Sequence, residues 1–273
     1  LIESVIPEGE IPTAIGIAAP GPLNPRTGVI LNTPNIPDWE NYPIADKVNA
    51  RFHIPVYLGN DANLAGLGEW RYGAGQGHEN LLYLTISTGI GGGVISDGHL
   101  LEGWQGLAGE LGHVTVVADG PVCGCGHKGH LEAFSSGTGI ARYVEEQLED
   151  VTVESSLRSR AKRTAELIAE AARKGDPLAV SAYERAGKYL GIGVASFLHI
   201  FNPSILIFGG GVSQSGELLW TPFRKSLQEH IFNPAYLENL VITPAALGDD
   251  AGLLGALALV GMKEKTKENS VDV

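Results

Sequence analysis

Short apolar runs that end at glycine, proline or a helix-capping residue recur along this chain, and this pattern constrains its fold most. The predicted strands are 13–18, 54–59, 80–87, 94–96, 113–117, 204–208 and 240–243. The predicted helices are 60–71, 137–149, 160–174, 177–201, 215–230 and 250–262, before a polar tail at 263–273 that we expect to be frayed. Strand hairpins come first and helices then alternate with strands, which predicts an α/β architecture with a mixed sheet.

Composition narrows the class of protein further. A chain of 273 residues with 44% hydrophobic and 18% charged residues is globular, not disordered, and long enough for one large or two modest domains. The net charge of −12 argues against nucleic acid and anionic membranes as partners. No apolar run reaches the roughly 18 residues of a membrane helix, and there is no secretory signal. We therefore expect a cytoplasmic protein.

The only two cysteines, Cys123 and Cys125, stand in a C-x-C motif next to several histidines. A disulfide across one residue is strained, so the motif indicates a reduced compartment or a metal. With His113 and His130 the cysteines form a Cys₂His₂ set suited to zinc, and four protein ligands predict a structural site. His127 competes with His130 for the fourth position, and we favour His130. The alternative is a pair of buried thiols beside unrelated surface histidines.

Two glycine-rich segments follow predicted strands. The segment 88–93 is predicted to be the turn of a hairpin, and it lacks the Lys-Ser/Thr ending of a Walker loop. Because it holds more glycines than a tight turn needs, we expect its amides and the Thr88 hydroxyl to contact phosphate oxygens. An ordinary tight hairpin is the alternative. The second segment, 209–211, precedes a predicted helix and could approach an adenine or a phosphate, although alone it is a weak signal.

Three carboxylates stand where a cleft could form. Asp61 lies at a predicted strand-to-helix turn, where it could either cap the helix or accept a proton from a substrate hydroxyl. Glu110 precedes His113 by three residues, and Glu132 follows His130 by two. A metal that joins the two histidines would bring these glutamates together. Carboxylates beside amide side chains are suited to a ligand with many hydroxyl groups.

Several stretches in order resemble the ROK family (repressors, open reading frames, kinases), and among its sugar kinases the ATP-dependent glucokinases most. The stretches are APGP at 19–22, NTPNIPDW at 32–39, NDAN at 60–63, STGIGGGV at 87–94, GELGH at 109–113, CGCGHKGHLE at 123–132 and FGGGVS at 208–213. The resemblance covers essentially the whole chain. It implies an actin-like (ribonuclease-H-like) sugar kinase fold, with two α/β domains and mixed sheets around a cleft.

The resemblance also implies a role for each candidate residue in the transfer of phosphate from ATP to glucose. Asp61 would be the catalytic base that takes the proton of the sugar 6-hydroxyl. The sugar site would be lined by Asn35, Asn60, Glu110, His113 and Glu132. The ATP phosphates would face Thr88 and Gly89, and the adenosine would face Gly209, Gly210 and Gly211. The family further implies Mg²⁺ with the ATP, structural zinc, and a homodimer or homotetramer.

Two departures from the family pattern stand out. His130 occupies a place where the family usually has a third cysteine, and since imidazole also binds zinc we expect the site to survive. The D-x-G-G-T hairpin that opens the family fold has no match, so we expect the N-terminal hairpin and one phosphate-binding loop to be missing. The predicted domains are then an incomplete small α/β domain at 1–80, joined by helix 250–262, and a large domain at 81–249. A chain of this extent is expected to bind ATP weakly and turn over slowly.

Several functions remain open from the sequence. The substrate could be another hexose, namely fructose, N-acetylmannosamine or N-acetylglucosamine, although the NTPNIPDW stretch favours glucose by resemblance. Polyphosphate could replace ATP as the donor. A second class is a sugar-responsive transcriptional regulator of the same family, which would need a basic helix-turn-helix ahead of Leu1. A third is a sugar-binding fragment without catalytic activity.

Overall fold

The computed structural model describes residues 2–6, 8–32 and 38–271, with side chains as far as residue 265. The strands in this part of the chain are β1 (Ile15–Ala19), β2 (Leu23–Asn24), β3 (Val29–Ile30), β4 (Val56–Asn60), β5 (Leu81–Ile86), β6 (Ile90–Ser96), β7 (His99–Leu100), β8 (Ile205–Gly209) and β9 (Val241–Pro244). The α-helices are α1 (Ile2–Val5), α2 (Ile44–Phe52), α3 (Asp61–Tyr72), α4 (Glu132–Ser135), α5 (Gly137–Leu148), α6 (Ala165–Arg173), α7 (Pro177–Phe201), α8 (Glu217–His230) and α9 (Ala251–Val271).

The largest sheet has five strands in the order β7-β6-β5-β8-β9. The pairs β7–β6 and β6–β5 are antiparallel, whereas β5–β8 and β8–β9 are parallel. Strands β1 and β4 form a separate parallel pair, and β2 and β3 form a short hairpin. The prediction of an α/β fold with mixed sheets is therefore confirmed.

Strand β5 is buried on both faces, and its alternating side chains enter two different cores. Leu82 and Leu84 belong to a core that includes residues of α5, α7 and α8. Leu81 and Tyr83 belong to the other core, which includes residues of α3 and α9. Since successive strand residues point to opposite faces, the near-continuous apolar run of β5 follows from its central position. Helix α3, which begins at Asp61, is thereby held against the large sheet.

Helices α3 and α9 cross with their backbones in contact. A β-carbon at Gly68 would collide with the Ala251 carbonyl of α9, and one at Gly255 would collide with the Leu64 carbonyl of α3. Only glycine leaves room for so close an approach. The crossing fixes the axis of α3 relative to α9.

The glycine-rich segment after β5 differs from its prediction. The turn spans only residues 87–89, and residues 91–93 lie inside β6 and not in the turn. A β-carbon at Gly91 would lie 2.6 Å from that of Ala62, and one at Gly93 would lie 3.2 Å from the Asn63 Cα. These glycines therefore let α3 pack directly on the strand. This packing explains why the segment has more glycines than a tight turn needs, which the sequence analysis attributed to phosphate contact.

The strand predicted over 113–117 is wrong. Residues Leu111–His113 form a 3₁₀ turn, and beyond it Thr115 makes only an isolated bridge to His130. The segment instead bends around the cysteine and histidine side chains. The backbone carbonyl of Ile90 lies so close to Gly112 that no side chain would fit there.

Two helix boundaries differ from the predictions, and one helix was not predicted. Helix α6 begins at Ala165 and not at residue 160, because the Thr164 hydroxyl accepts the Leu167 N–H as an N-cap. Helix α9 continues to Val271, past the predicted end at 262 and through most of the tail expected to be frayed. Helix α2 was not predicted. None of the described helices combines the length and apolar character needed to cross a bilayer.

Candidate active site and metal centre

Asp61 stands at the junction of β4 and α3, and its neighbour Asn60 caps the helix. The Asn60 side chain accepts the N–H groups of Ala62 and Asn63. Asp61 accepts the Ala62 N–H at 2.8 Å and its own backbone N–H. The capping role that competed for Asp61 at the sequence level therefore belongs mainly to Asn60. Burial raises the pKa of Asp61, against the opposing effect of the Ala62 hydrogen bond.

Asn60 and Glu110 meet at Gly21. A β-carbon on Gly21 would lie 3.1 Å from Asn60 Nδ2 and 3.3 Å from Glu110 Oε1, so both side chains reach the same point. Burial raises the pKa of Glu110, and the negative charges of Asp61 and Glu132 raise it further, while His113 opposes them. Glu110 Oε2 also lies 4.0 Å from His113 Nε2, so this carboxylate is close both to Asn60, the neighbour of Asp61, and to the cysteine and histidine cluster.

Glu132 connects the cysteine loop with the glycine turn. Its Oε2 accepts the Ile90 N–H at 2.9 Å, and its Oε1 lies 3.2 Å from Cys123 Sγ. Gly89 packs so closely against Glu132 that a β-carbon there would collide with the carboxylate. The first residue of α4 therefore holds the turn at 87–89 next to the cysteine loop.

Four predicted metal ligands come together in the structure. One donor atom from each of His113, Cys123, Cys125 and His130 lies within 4.8 Å of all the others. Cys125 Sγ is 3.2 Å from His130 Nδ1, and Cys123 Sγ is 3.7 Å from His113 Nδ1. Donor separations of this size suit a cation bound at about 2.0–2.3 Å by four ligands. His127, the competing residue, lies outside this set, although its Nδ1 is 3.7 Å from Cys125 Sγ.

The protonation of these side chains also fits a metal centre. Burial raises the pKa of Cys123 to about 12, so this thiol ionises only when a cation takes the place of its proton. Burial lowers the pKa of His130, and His113 and His127 lower it further. A neutral imidazole keeps the lone pair that a metal requires. Two soft sulfur donors and two imidazoles form a donor set typical of zinc.

A cavity of about 780 Å³ opens beside the glycine turn. Ser87, Thr88 and Gly211 belong to its wall. The start of α5 is tied to the turn, because Gly137 N–H donates to the Ser87 carbonyl at 2.7 Å and the Thr138 hydroxyl donates to the Thr88 carbonyl at 2.8 Å.

Sequence reasoning missed most of this cavity wall. The missed residues include Thr138, Arg163, Thr164, Arg173, Tyr183 and Gln214. The run SSGTG at 135–139 carried a signal, since serine and glycine at a helix start indicate a cap and a close backbone approach. Arg163 comes from the loop before α6 and Tyr183 from α7, and neither had such a signal.

The three glycines of the segment 209–211 have different surroundings. Gly209 packs against the Tyr83 hydroxyl, and Gly210, at φ +82°, packs against the Ile86 carbonyl. Of the three, Gly211 is the one that lines the cavity. Asn35, predicted for the sugar site, falls in 33–37 and so lies outside the described residues.

The α/β fold with mixed sheets, with carboxylates near a cavity of about 780 Å³, is that of the sugar kinases with the actin-like fold. The chain belongs to the ROK family, whose model matches residues 3–263. A glucokinase from Thermotoga maritima is 40% identical over 258 residues, which are 93% of this chain and 81% of the relative.

Two further relatives represent the two branches of the family. The crystal structure of a ROK family glucokinase from Streptomyces griseus in complex with glucose and AMPPNP aligns with a TM-score of 0.75. The two are 40% identical, and the alignment covers 92% of this chain and 82% of that one. A xylose repressor from Caldicellulosiruptor bescii is 36% identical over 90% of this chain but 62% of its own length.

Proposed function

We propose that this protein is a glucokinase that transfers the γ-phosphoryl group of ATP to the 6-hydroxyl of glucose. The observation that carries the proposal is that Glu110 meets Asn60, the neighbour of Asp61, at Gly21, while Glu132 holds the glycine turn beside the cavity whose wall includes Thr88. The kinase relatives support it, since one of them was crystallised with glucose and an ATP analogue. Fructose, N-acetylmannosamine and N-acetylglucosamine are the competing acceptors.

In this proposal Asp61 is the base that accepts the proton of the attacking hydroxyl. Its raised pKa makes it a better proton acceptor than an ordinary aspartate, provided that the working pH keeps it ionised. Asn60, Glu110, His113 and Glu132 bind the other sugar hydroxyls, each carboxylate accepting from a hydroxyl and the amide donating to one. Asn35 is proposed for the same site from the family resemblance.

The nucleotide is proposed to occupy the cavity. Phosphoryl transfer depends mainly on positioning and charge neutralisation, and the chain itself carries a net charge of −12. Mg²⁺ on the ATP therefore supplies the neutralising charge. Thr88 and Gly89 are proposed to face the phosphates, and Gly209, Gly210 and Gly211 the adenosine; of these three glycines, Gly211 lines the cavity.

We assign the Cys₂His₂ cluster to structural zinc, held by His113, Cys123, Cys125 and His130. Zinc, when bound, supplies a closed four-ligand cross-link of the loop. The loop in turn fixes Glu132, whose carboxylate lies 3.2 Å from Cys123 and holds the glycine turn through Ile90. The metal would thus act on the reaction only through the position of Glu132 and His113.

The proposed division into domains places the cleft between them. The small domain is 1–80, joined by helix 250–262, and the large domain is 81–249. In this division Asp61 belongs to the small domain and the glutamates belong to the large one, although α3, which begins at Asp61, packs directly on β6 of the large domain. A homodimer or homotetramer and a cytoplasmic location also stay predictions, the latter supported by two free cysteines.

A coupled assay with a panel of hexoses, ATP and Mg²⁺ tests the proposal. Glucose is expected to give the highest kcat/KM, with glucose 6-phosphate as the product. Polyphosphate in place of ATP serves as the donor control. Glucose binding without turnover would contradict a kinase and favour the sugar-sensing role of the family's repressors. Turnover of N-acetylmannosamine in preference to glucose would agree with a sugar kinase but contradict glucose as its substrate.

A further inference from the structure

One buried polar atom is without a hydrogen-bond partner among the side chains that the structure describes. It is Oδ1 of Asn63, a residue only 6% exposed on the first turn of α3. The other end of the same amide is engaged, because Nδ2 donates to the Ala108 carbonyl at 3.1 Å. That bond fixes which end of the amide is oxygen. A buried acceptor without a donor is costly, so a partner is expected in some state of the protein.

Two backbone donors without an acceptor in the described part of the chain follow Ala108 directly. Oδ1 lies against the Cα of Gly109, where a β-carbon would collide with it. The N–H groups of Gly109 and Glu110 donate to no acceptor within the described part of the chain. The first nitrogen is bonded directly to that Cα, and the second is two bonds away. An acceptor without a donor and two donors without an acceptor therefore lie within one residue of each other, at a glycine with φ +92°.

This contact joins the two sides of the proposed sugar site. Asn63 is two residues from Asp61 on α3, and its own N–H is held by the cap residue Asn60 at 3.1 Å. Glu110 follows Gly109 directly and reaches the same point as Asn60 beside Gly21. A movement of the Gly109–Glu110 peptide is thus a movement of the Glu110 carboxylate relative to Asp61.

We propose that Asn63 is a positioning residue whose Oδ1 accepts a backbone N–H of Gly109 or Glu110 when the sugar is bound. The hydrogen bond locks the Glu110 loop against the helix that carries Asp61. Asn63 touches neither sugar nor nucleotide, because it is buried, and acts through Glu110. The inference rests on the proposed function, since it requires glucose to engage Glu110.

Hydrogen exchange with and without glucose tests the lock directly. Glucose should slow exchange at residues 108–111 and at residues 130–134 around Glu132 in the natural protein. In Asn63→Leu, which keeps the volume but has no acceptor, protection at 130–134 should remain and protection at 108–111 should be lost. Asn63→Ala repeats the test in a smaller side chain in case leucine prevents folding. Asn49→Ala is the matched control, because Asn49 also donates its amide to a backbone carbonyl, that of Ile54, outside the site.

Kinetics separate positioning from a merely structural role. Loss of one hydrogen bond made only with sugar bound should raise the KM for glucose about three- to tenfold in both Asn63 variants. The KM for ATP should not change, and Asn49→Ala should alter neither constant. If protection at 108–111 persists in the variants, the proposal is overturned and Oδ1 belongs to a buried water. If glucose protects no segment of the natural protein, the proposed function fails and the inference falls with it.

Discussion

At the scale of the residue, the division of labour between Asn60 and Asp61 is the feature with the most chemical consequence. Asn60 accepts two N–H groups of α3, so the capping of this helix does not depend on Asp61 alone. If an aspartate were the cap, the N–H groups of the helix would stabilise its ionised form and its pKa would fall. Here burial raises the pKa instead, which suits a proton acceptor.

Replacement of this carboxylate tests the base directly. Asp61→Asn keeps the shape of the side chain and removes the proton acceptor, so kcat should fall about 10²- to 10⁴-fold while glucose still binds. Steady-state kinetics and calorimetry measure the two quantities. Asp46→Asn, also in the first turn of a helix but outside the cleft, is the control and should keep full activity. A variant at position 61 with near-natural kcat would remove the base from the mechanism.

The raised pKa predicts the pH dependence of the reaction. Asp61 is active only when ionised, so kcat falls as the pH drops through its pKa. Because burial raises that pKa, the acid limb should lie at higher pH than for an ordinary aspartate at 3.8. The profile of kcat at saturating glucose and ATP measures it, and the residual rate of Asp61→Asn should lack this limb. An acid limb at or below the ordinary aspartate value would contradict the burial argument.

At the scale of the element, the glycines of β6 serve packing more than ligand contact. Three of them let α3 and the 3₁₀ turn at Leu111 approach the strand without a side chain between. The glycines at 91–93, which in the sequence indicated an unusually long turn, are thus explained by their position in β6 beneath α3 and the 3₁₀ turn. The turn at 87–89 keeps the contact with the cavity.

A single added methyl group tests this packing. Gly91→Ala would force Ala62, and with it the start of α3, away from β6, at a cost of about 1–3 kcal/mol in the free energy of unfolding. Since Asp61 precedes Ala62, kcat should also fall. Gly261→Ala on α9, where a β-carbon meets nothing within 4 Å, is the control and should stabilise by about 0.5–1 kcal/mol. Urea unfolding measures both, and equal stability of the two variants would contradict the packing role.

Elements with their own local signals were predictable from the sequence. Helix α7 was predicted with the bounds it has, because Asp176 caps its start, Pro177 takes the first position and Asn202 ends it in the left-handed conformation. Helix α2 carries no such signal, since Pro43 precedes it without a side-chain cap. The strand predicted at 113–117 failed because contacts with residues 129–131 decide its conformation, and no local pattern reports them.

Some features of the candidate site were likewise predictable from local sequence, and others were not. The ligands of the cysteine loop are close in sequence and could be grouped from spacing alone, as could the Asp61 turn. The cavity wall brings together α5, α6, α7 and the turn after β8, and the orphaned oxygen of Asn63 depends on a loop 45 residues away. Such features follow from tertiary packing and leave no trace in a single local window.

At the scale of the whole molecule, the proposed zinc would cross-link the cysteine loop with the 3₁₀ turn that carries His113. Removal of zinc with a strong chelator should lower the Tm by at least about 5 °C, since structural zinc is coupled to folding. Metal analysis of the pure protein should find about one zinc per chain. Active, metal-free protein with an unchanged Tm would contradict the assignment.

Two histidine variants identify the fourth ligand. His130→Ala should lose the metal and the thermal stability that comes with it, because His130 Nδ1 lies 3.2 Å from Cys125 Sγ. His127→Ala, in the same loop but outside the cluster, should retain the metal. The reverse outcome would reassign the fourth position to His127.

The crossing of α3 and α9 limits how the molecule can move. Gly68 and Gly255 bring the two backbones so close that neither helix can slide along the other or rotate about its axis without collision. The two helices are therefore fixed to each other as one unit, and Asp61 is the first residue of α3. Since α3 also packs directly on β6, the pair is held to the five-stranded sheet, and any opening of the site would have to come from segments outside this packed unit.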